Sequence, residues 1–321
     1  MENRSAKNSL IALGPGWAAG IYTDSVREKL DQLLGAAPVF QDPKSIFEDP
    51  DRLREVDILF SGWGSPKLDQ RLLSAAPNLK AVFYAGGSLD GLLSQEFKAS
   101  GIRTFSTIQL NSEFVADYTT SLIYLSLKGF WNLTDQIRAN RRFPDAAQAQ
   151  VPGLRRAKVG LVSLGRIGIA TAQQLKRWNI ELSAYDPYFS AQEAKRLGIR
   201  LTTLETLFAE SEIVSIHTPL KEETRHLIKS NHLARMPAKA VLINTARGPV
   251  IDEKGLVEVF NKRPDLKAIL DVTDPEPFVP DSPVSKLENV CITPHIAGIL
   301  GRDLECFGAA IADELERFLK E

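Results

Sequence analysis

The sequence predicts an α/β protein with two doubly wound parallel-sheet domains. Short runs of branched and aromatic apolar residues alternate along the chain with longer amphipathic stretches, which is the pattern of parallel strands joined by helices. The chain has 321 residues, of which 44% are hydrophobic, and this is enough for two hydrophobic cores.

The charge balance and the cysteine count exclude several kinds of partner. A net charge of −1 and a pI near 6.5 argue against binding to nucleic acid or to an anionic membrane, since either needs a large positive excess. The two cysteines, Cys291 and Cys306, are too few for a disulfide framework or a thiolate zinc site. We therefore expect a cytoplasmic protein that binds a small molecule, with no metal, nucleic acid or membrane.

The start of the chain allows two interpretations. Arg4 and Lys7 precede an apolar stretch over residues 10–22, as in a secretory signal peptide. Glycine and proline at positions 14–16 interrupt that stretch and favour a short strand followed by a turn. No apolar run reaches the ~18 residues of a membrane-spanning helix.

Five short apolar runs in the first third predict strands, with helices between several of them. The predicted strands are Leu10–Leu13, Pro38–Phe40, Asp57–Ser61, Ala81–Tyr84 and Arg103–Phe105. The predicted helices include Asp24–Leu34 and Leu68–Ala75. A long apolar stretch, Ser112–Phe130, predicts a connecting helix, and the arginine-containing segment Arg138–Ala157 predicts a solvated surface connection rather than an anion site.

Six further apolar runs follow this connection. They predict strands at Lys158–Val162, Ile180–Tyr185, Ile213–His217, Ala240–Asn244, Lys267–Val272 and Val290–Thr293. Six strands with intervening helices are the number in a complete dinucleotide-binding fold. The last stretch, Asp303–Leu319, predicts an amphipathic helix that packs back on the first domain.

A glycine-rich turn follows the first strand of this second set, in the run KVGLVSLGRIG. A pyrophosphate needs free backbone N–H groups at a helix N-terminus and a residue without Cβ where the chain approaches it. Gly165 and Gly168, with Arg166 and Ile167 between them, suit that role, although Ser163 replaces the first glycine of the usual pattern. The alternative is an ordinary tight turn between strand and helix.

Asp186 lies at the end of the second strand of this set. At that position a carboxylate accepts hydrogen bonds from an adenosine ribose and repels a 2′-phosphate. We therefore predict NAD as the cofactor, in preference to NADP. His217, at the end of the third strand, is expected to line the adenine side of the same crevice.

Three polar residues follow the later strands. Arg247 comes after the fourth strand, Glu276 after the fifth and His295 after the sixth. Because ligands lie beyond the carboxyl ends of parallel strands, we expect all three in one crevice. An imidazolium can donate a proton to a developing alkoxide, a carboxylate can orient the imidazole ring, and a guanidinium can bind a carboxylate. Each residue alone is compatible with a structural role, but together they predict hydride transfer between a nicotinamide and a carbonyl.

A second glycine turn lies in the first domain, directly after the fourth predicted strand. Paired glycines at Gly86 and Gly87, followed by Ser88, leave backbone N–H groups able to bind an anion. A plain flexible turn is the alternative. Trp63 and Gly64, at the end of the neighbouring strand, are predicted to form the pocket wall that limits the size of the substrate.

Six segments resemble, in order, the signatures of the D-isomer-specific 2-hydroxyacid dehydrogenase family. They are VGLVSLGRIG, YDP, HTPL, INTARGPVIDE, LDVTDPEP and TPHIAG, between about residues 158 and 298. The resemblance implies that Arg247, Glu276 and His295 are catalytic and that Asp271 lies near the nicotinamide carboxamide. The implied cofactor contacts are Gly165, Arg166, Ile167, Gly168, Asp186, His217, Thr218, Pro219, Thr245, Ala246, Asp271, His295 and Gly298.

The resemblance also implies a domain organisation. A Rossmann cofactor domain, residues 111–298, is inserted into a flavodoxin-like substrate domain formed by residues 1–110 and a C-terminal helix in residues 299–321. The family usually forms homodimers through the cofactor domain. The substrate carboxylate is then expected at the amides near Gly87 and Ser88 and at Arg247, in a cleft that closes to exclude water.

The chain departs from the family pattern at two places. Ser163 replaces a glycine, and Asp117 with Tyr118 replaces the usual Glu and His. Glu276 in place of Gln argues against the formate-oxidising branch. The predicted activity is hydride transfer between NAD(H) and a D-2-hydroxy acid and its 2-keto acid, either glyoxylate- or hydroxypyruvate-like or bulkier. The alternative is an NAD(H)-sensing binding protein similar to the family's corepressors, which keep the same three catalytic residues.

Overall fold

The computed structural model describes residues 8–144 and 151–321. Arg4, Lys7 and residues 145–150 of the predicted surface connection lie outside these ranges. The chain divides into two compact units. Unit 1 comprises Met1–Asn111 and Ile299–Glu321, and unit 2 comprises Ser112–Gly298.

Unit 1 contains a five-stranded parallel sheet. Its strands are β1 (Ser9–Ala12), β2 (Val39–Phe40), β3 (Ile58–Gly62), β4 (Ala81–Ala85) and β5 (Arg103–Ser106), and its first helices are α1 (Pro15–Ile21), α2 (Asp24–Leu34), α3 (Pro50–Glu55), α4 (Gln70–Ala75) and α5 (Gln95–Ala99). The strand order is β2-β1-β3-β4-β5, which is the flavodoxin-like order. The central strands β3 and β4 are buried along their whole length, as expected of a parallel sheet covered by helices on both faces.

Unit 2 contains a seven-stranded parallel sheet with the order β12-β11-β10-β9-β6-β7-β8. Its strands are β6 (Lys158–Val162), β7 (Glu181–Tyr185), β8 (Ile199–Leu201), β9 (Ile213–Ile216), β10 (Val241–Asn244), β11 (Lys267–Leu270) and β12 (Val290–Ile292). Its helices are α6 (Ile108–Leu127, which begins in unit 1), α7 (Phe130–Asn140), α8 (Arg166–Leu175), α9 (Ala191–Arg196), α10 (Leu204–Glu210), α11 (Ser230–Leu233) and α12 (Glu253–Lys262).

Single 3₁₀ turns occur in both units, at Ile46–Glu48, Lys176–Trp178, Glu222–Thr224, Gly248–Val250, Pro283–Lys286 and Gly301–Asp303.

Both faces of the second sheet are buried. Along β10 and β11, Leu242 and Leu270 belong to one hydrophobic core, whereas Ile243 and Ile269 belong to the other. This alternation follows from the two-residue period of a strand. The two strand orders confirm the predicted fold class.

The last helix, α13 (Leu304–Phe318), packs against α1 and α2 of unit 1. The approach is close at Gly308, where a Cβ atom would lie 1.9 Å from the carbonyl oxygen of Ile21. Only glycine allows this contact between the two backbones. A ring contact between Trp63 and Phe307, with centroids 5.6 Å apart, adds to the same packing.

The structure differs most from the predicted elements at three places. The connecting helix begins at Ile108 rather than at residue 112, and it ends at Leu127. A second helix, α7, lies mostly before the predicted surface connection and includes its first three residues, 138–140. Gly129, with a φ of 71°, separates the two helices. The third strand of unit 2, β8, was missed because three residues with an arginine in the middle do not establish a strand pattern.

Among the described residues, no helix is both long and apolar enough to cross a membrane. Within residues 8–144 and 151–321, no group of three or more His, Cys, Asp or Glu side chains could hold a metal ion.

Candidate active site

Most of the candidate residues in unit 2 lie along one edge of the seven-stranded sheet, where the carboxyl ends of its strands meet. In spatial order from β12 to β7, the residues that follow the strands are His295, Glu276, Arg247, His217, Gly165 and Asp186. The ionisable candidates for chemistry therefore lie at the β10–β12 end of this edge, and the glycine turn and the ribose candidate lie at the β6–β7 end. This edge is where doubly wound sheets bind their ligands.

His295 and Glu276 form a direct contact. The Nδ1 atom of His295 forms a hydrogen bond with Oε1 of Glu276. The two side chains are 47% and 41% exposed, so the pair faces open space. Nε2 of His295 contacts no hydrogen-bonding partner in the described part of the chain, and it is the ring nitrogen free to act on a ligand.

The turn that carries His295 is organised by a buried carboxylate. Asp271, only 1% exposed, follows β11, and its two oxygens accept hydrogen bonds from the amides of Ile296 (2.9 Å) and Ala297 (2.8 Å). Its backbone carbonyl accepts a third from the amide of His295 (3.0 Å). The predicted contact of Asp271 with the nicotinamide carboxamide stays a prediction, and what the structure shows is that this carboxylate holds the turn.

Arg247 is exposed on a turn held by a buried asparagine. The fully buried Asn244 donates from Nδ2 to the carbonyl of Arg247 and accepts from the amide of Ala246, both at 3.0 Å. Thr245 hydrogen-bonds with Thr119 of α6 at 2.8 Å. Sequence reasoning missed Asn244, although a polar residue at the end of an otherwise apolar strand was a usable signal.

The guanidinium of Arg247 is available to a ligand. Its only hydrogen bond to the described residues runs from Nη1 to the carbonyl of Ala246 (2.6 Å). The remaining donors of its planar fork have the geometry that binds a carboxylate through two hydrogen bonds.

The glycine turn after β6 leaves a helix N-terminus open. Helix α8 begins at Arg166 and Ile167, and Gly165 at its N-cap position provides no side-chain cap. A Cβ atom on Gly165 would meet nothing within 4 Å, whereas one on Gly168 would lie 2.3 Å from the Ser163 carbonyl oxygen. The turn therefore combines space for a ligand with close packing of helix on strand, as a pyrophosphate site requires.

Ser163 adopts the conformation that glycine usually provides. Its φ is 77°, in the left-handed region. Its hydroxyl lies 2.9 Å from the hydroxyl of Thr218, which donates to the carbonyl of Val162 at 3.3 Å. The hydrogen bond between Ser163 and Thr218 joins the glycine turn to the segment after β9, where Pro219 follows Thr218.

Asp186 is held at the end of β7 by three backbone amides. Oδ2 accepts from Leu164 (2.8 Å), and Oδ1 accepts from Tyr188 (2.9 Å) and Phe189 (3.1 Å). A carboxylate offers about four acceptor positions, so capacity for a ribose hydroxyl remains. A cavity of about 790 Å³ opens beside it and is also lined by Arg225 and Lys229, two cations that sequence spacing did not place near Asp186.

The imidazole ring of His217 is buried without a hydrogen-bonding partner among the described residues. The residue is 7% exposed, and both ring nitrogens lack a partner among the described residues. Burial lowers the pKa of His217 to about 4, so the ring is neutral near pH 7. Buried polar atoms are rarely left unpaired, and a ligand at this edge would supply the missing partner. Together with the open turn at Gly165, this fits a bound dinucleotide.

The predicted anion-binding turn of unit 1 is only partly free. The amide of Gly86 donates to the Thr107 hydroxyl at 2.9 Å, so it is already used. The amides of Gly87 and Ser88 donate no hydrogen bond to the described residues, and the Ser88 hydroxyl donates to Asp90 at 2.7 Å. Two of the three predicted N–H donors therefore remain available.

The predicted pocket wall of unit 1 is formed by packed rings. Trp63 lies against Trp17, with ring centroids 4.7 Å apart. Gly64 has a φ of 78°, and a Cβ there would lie 2.9 Å from Gly14. Trp17 was not predicted, because only the folded chain brings α1 against the end of β3.

An open helix N-terminus after β6, a carboxylate after β7 and a His–Glu pair after β12 and β11 define a dinucleotide-dependent oxidoreductase. Comparison with known proteins supports this class. Residues 120–297 match the family described as D-isomer specific 2-hydroxyacid dehydrogenase, NAD binding domain.

Two relatives and one solved structure extend the match. Glyoxylate reductase from Thermofilum pendens is 36% identical over 234 residues, which cover 72% of this chain and 69% of the relative. Glyoxylate reductase from Korarchaeum cryptofilum is 31% identical over 270 residues, which cover 84% and 81%. The crystal structure of the TT0316 protein from Thermus thermophilus has a TM-score of 0.75 at 28% identity and covers 97% of both chains.

The chain belongs to the D-isomer specific 2-hydroxyacid dehydrogenases. It is an NAD-dependent enzyme that transfers hydride between 2-hydroxy acids and 2-keto acids. These findings confirm the predicted family, cofactor and reaction type.

Proposed function

We propose that this enzyme reduces a small 2-keto acid of the glyoxylate or hydroxypyruvate class to the corresponding 2-hydroxy acid, and to its D-isomer where the product is chiral. The observation that carries the proposal is the contact between His295, which follows β12, and Glu276, which follows β11, the strand next to the one that precedes Arg247. Two relatives named glyoxylate reductase support the substrate class. The packed rings of Trp17 and Trp63 near the predicted pocket wall also favour a small substrate over a bulky one.

Each of the three residues has one task in this proposal. NADH, when bound, supplies the hydride. His295 donates a proton from Nε2 to the oxygen of the substrate carbonyl, because Glu276 occupies Nδ1 and thereby orients the ring. The guanidinium of Arg247 binds the substrate carboxylate through its free donors.

In this proposal, the free amides of Gly87 and Ser88 are the groups of unit 1 that bind a carboxylate. They are the donors left after the Gly86 amide is used by Thr107. Backbone N–H groups that converge in a turn bind anions without the entropy loss of a long side chain.

The roles of the cofactor contacts follow the same edge of the sheet. We propose that the pyrophosphate binds at Gly165, Arg166, Ile167 and Gly168, at the start of α8, and that the ribose binds at Asp186. We place the adenine in the cavity beside Asp186, and we retain Thr218, Pro219, Thr245, Ala246, Asp271 and Gly298 as contacts. Measuring kcat/KM with NADH and with NADPH tests the Asp186 role, since similar values would contradict it.

The test of the proposed function is consumption of NADH with a panel of acids. Glyoxylate, hydroxypyruvate and pyruvate should turn over faster than bulkier keto acids. Hydroxypyruvate and pyruvate should give the D-hydroxy acid, whereas glyoxylate gives the achiral glycolate. Amides or esters of the same keto acids should react poorly because they lack the charge that Arg247 binds. Tight NADH binding without turnover of any keto acid would favour the alternative, an NAD(H)-sensing binding protein.

The Arg247→Lys variant sharpens the substrate test. It keeps the positive charge and loses the planar fork, so we expect kcat/KM for the best keto acid to fall ~10- to 100-fold. The KM for NADH should stay within about twofold of wild type, since the residue binds substrate in this proposal. An unchanged kcat/KM would show that Arg247 does not bind the carboxylate through its two parallel donors.

We also propose that the enzyme is a homodimer formed through unit 2. No residue of α7 is buried, and Phe130 (45%), Ile137 (37%) and the nearby Phe143 (88%) expose large apolar side chains. An exposed apolar surface of this kind is typical of an interface. Light scattering after size exclusion should give twice the chain mass for wild type and a lower mass for Phe143→Ser. Tyr188→Ser, at an equally exposed aromatic residue of the same unit, is the control.

We propose a cytoplasmic location as well. Cys291 and Cys306 are free thiols, and Cys306 is exposed. Exposed free thiols persist in a reducing compartment. Cell fractionation with an antibody to the chain tests the location.

A further inference from the structure

A chain of hydrogen bonds connects helix α6 to the turn that carries His295. The hydroxyl of Tyr118, on α6, donates to the hydroxyl of Thr293 at 3.2 Å. The hydroxyl of Thr293 in turn donates to Oδ1 of Asp271 at 2.5 Å. The direction is consistent, because Tyr118 donates, Thr293 accepts and donates, and the carboxylate accepts.

The last member of this chain holds the backbone around His295. Asp271 is 1% exposed, and it accepts from the amides of Ile296 and Ala297 in addition to Thr293. His295 itself has a φ of 54°, in the left-handed region that a non-glycine residue rarely adopts. Such a conformation persists only where surrounding contacts enforce it. The contacts that enforce it here start from the Asp271 carboxylate.

Tyr118 is suited to fix the orientation of that carboxylate. Burial raises the pKa of the Tyr118 hydroxyl, so the group stays protonated and remains a donor. It stands on the longest helix of unit 2, whose next residue, Thr119, is joined to the Arg247 turn by its hydrogen bond with Thr245. Tyr118 and Thr119 therefore attach the turns after β11, β12 and β10 to one rigid element.

We propose that Tyr118 is a positioning residue for His295. Through Thr293 and Asp271 it holds the imidazole where Glu276 orients it and where Nε2 can reach the substrate. This role rests on the proposed function of His295 as proton donor.

The first test is the Tyr118→Phe variant, which removes only the hydroxyl. We expect kcat for keto acid reduction to fall ~3- to 10-fold, the effect of one lost hydrogen bond on the geometry of the donor. The KM for NADH should stay within about twofold. Tyr124→Phe is the matched control on the same helix, because the Tyr124 ring packs on Trp178 and its hydroxyl contacts no partner in the described residues. It should keep wild-type kcat.

The second test is a double-mutant cycle with Thr293→Val, which removes the middle hydroxyl at nearly constant volume. If the chain acts as proposed, Tyr118→Phe has no further effect on kcat in the Thr293→Val background. If the two effects multiply independently, or if Tyr118→Phe leaves kcat unchanged, the proposal is overturned. A change in thermal stability alone, without a change in kcat, also overturns it.

A third measurement separates this proposal from the proposed function. Amide hydrogen exchange at Ile296 and Ala297 needs no substrate, and it should become ~3- to 10-fold faster in Tyr118→Phe but not in Tyr124→Phe. If wild type reduces no keto acid while exchange responds as expected, the proposed function fails and the positioning link stands. Unchanged exchange in Tyr118→Phe contradicts the link itself.

Discussion

The two ends of the carboxyl edge of the seven-stranded sheet hold their functional groups in different ways. At the β10–β12 end, the reactive groups are exposed side chains on short turns, and a buried polar residue at the end of a strand fixes two of these turns. Asn244 does this for Arg247, and Asp271 does it for His295. At the β6–β9 end, the functional groups are backbone amides at the start of α8 and a buried imidazole, that of His217.

This difference separates chemistry from cofactor binding. A side chain that moves a proton must be exposed to substrate and still be oriented, so it needs a buried residue that holds its backbone. A pyrophosphate needs only donors that already point in one direction, and a helix N-terminus provides them without a side chain. Substitutions at the first end should therefore lower kcat, and those at the second end should change cofactor binding and stability.

The largest effect is expected from His295→Asn. Loss of the proton donor should lower kcat for reduction by ~10²- to 10⁴-fold. Arg141→Asn is the matched control, because the exposed Arg141 has a φ of 53° against 54° for His295, and asparagine tolerates this left-handed conformation at both sites. The control should keep kcat within about twofold of wild type. Near-native kcat in His295→Asn would show that the β10–β12 end of the sheet does not carry the chemistry.

A smaller effect is expected from acid at the buried ring of His217. Its pKa is about 4 in the folded chain and about 6.5 in the unfolded chain. Between these pH values only the unfolded chain binds the proton, so the free energy of unfolding decreases as pH falls from about 6.5 to about 4. The contribution of this residue is about 3 kcal/mol.

The His217→Gln variant tests this dependence. Urea unfolding of wild type and variant at a series of pH values should show that the variant loses about 3 kcal/mol less stability on acidification. His226→Gln, at an exposed histidine, should keep the wild-type dependence. If His217→Gln keeps the wild-type dependence of stability on pH, the ring is not neutral and buried. The end of the sheet that carries His217 would then differ less from the β10–β12 end than the structure indicates.

The smallest effect is expected at Ser163, in the turn between β6 and α8. Ser163→Ala keeps the positive φ and loses the hydrogen bond to Thr218, so it should destabilise the protein by about 1 kcal/mol. Ser163→Gly loses the same hydrogen bond but relieves a left-handed conformation that costs on the order of 1 kcal/mol, so its stability should be close to wild type. Urea unfolding measures both. If alanine and glycine prove equally stable, the strain assigned to Ser163 is absent.

Much of the fold was predictable because its patterns are local. The run at residues 158–162 is a continuous apolar segment followed by a glycine turn, and the structure places β6 at the predicted residues. The helix at residues 24–34 was also predicted with its observed bounds. The third strand of unit 2, β8, was missed because its three residues gain strand structure from pairing with β7 rather than from their own pattern.

Candidate site residues were predictable where a motif places them after a strand. Arg247, Glu276 and His295 each follow a predicted strand, and the strand order brings β10, β11 and β12 side by side. The residues that hold these turns were harder to predict, because a buried Asn or Asp has the same letter in the sequence as an exposed one. Asn244 was therefore missed, and Asp271 was assigned a cofactor contact without its contacts to the His295 turn.

Local sequence was enough to predict the alternation of strands and helices, the glycine turn and the residue types at the carboxyl ends of the strands, since these depend on neighbours a few positions away. Tertiary structure alone decided which of these groups meet. Tyr118 hydrogen-bonds with Thr293, which is 175 positions away in the sequence. His217 is buried only in the folded chain. Hydrogen-bond partners and burial are set by parallel pairing of distant strands, and that pairing depends on the packing of the whole sheet.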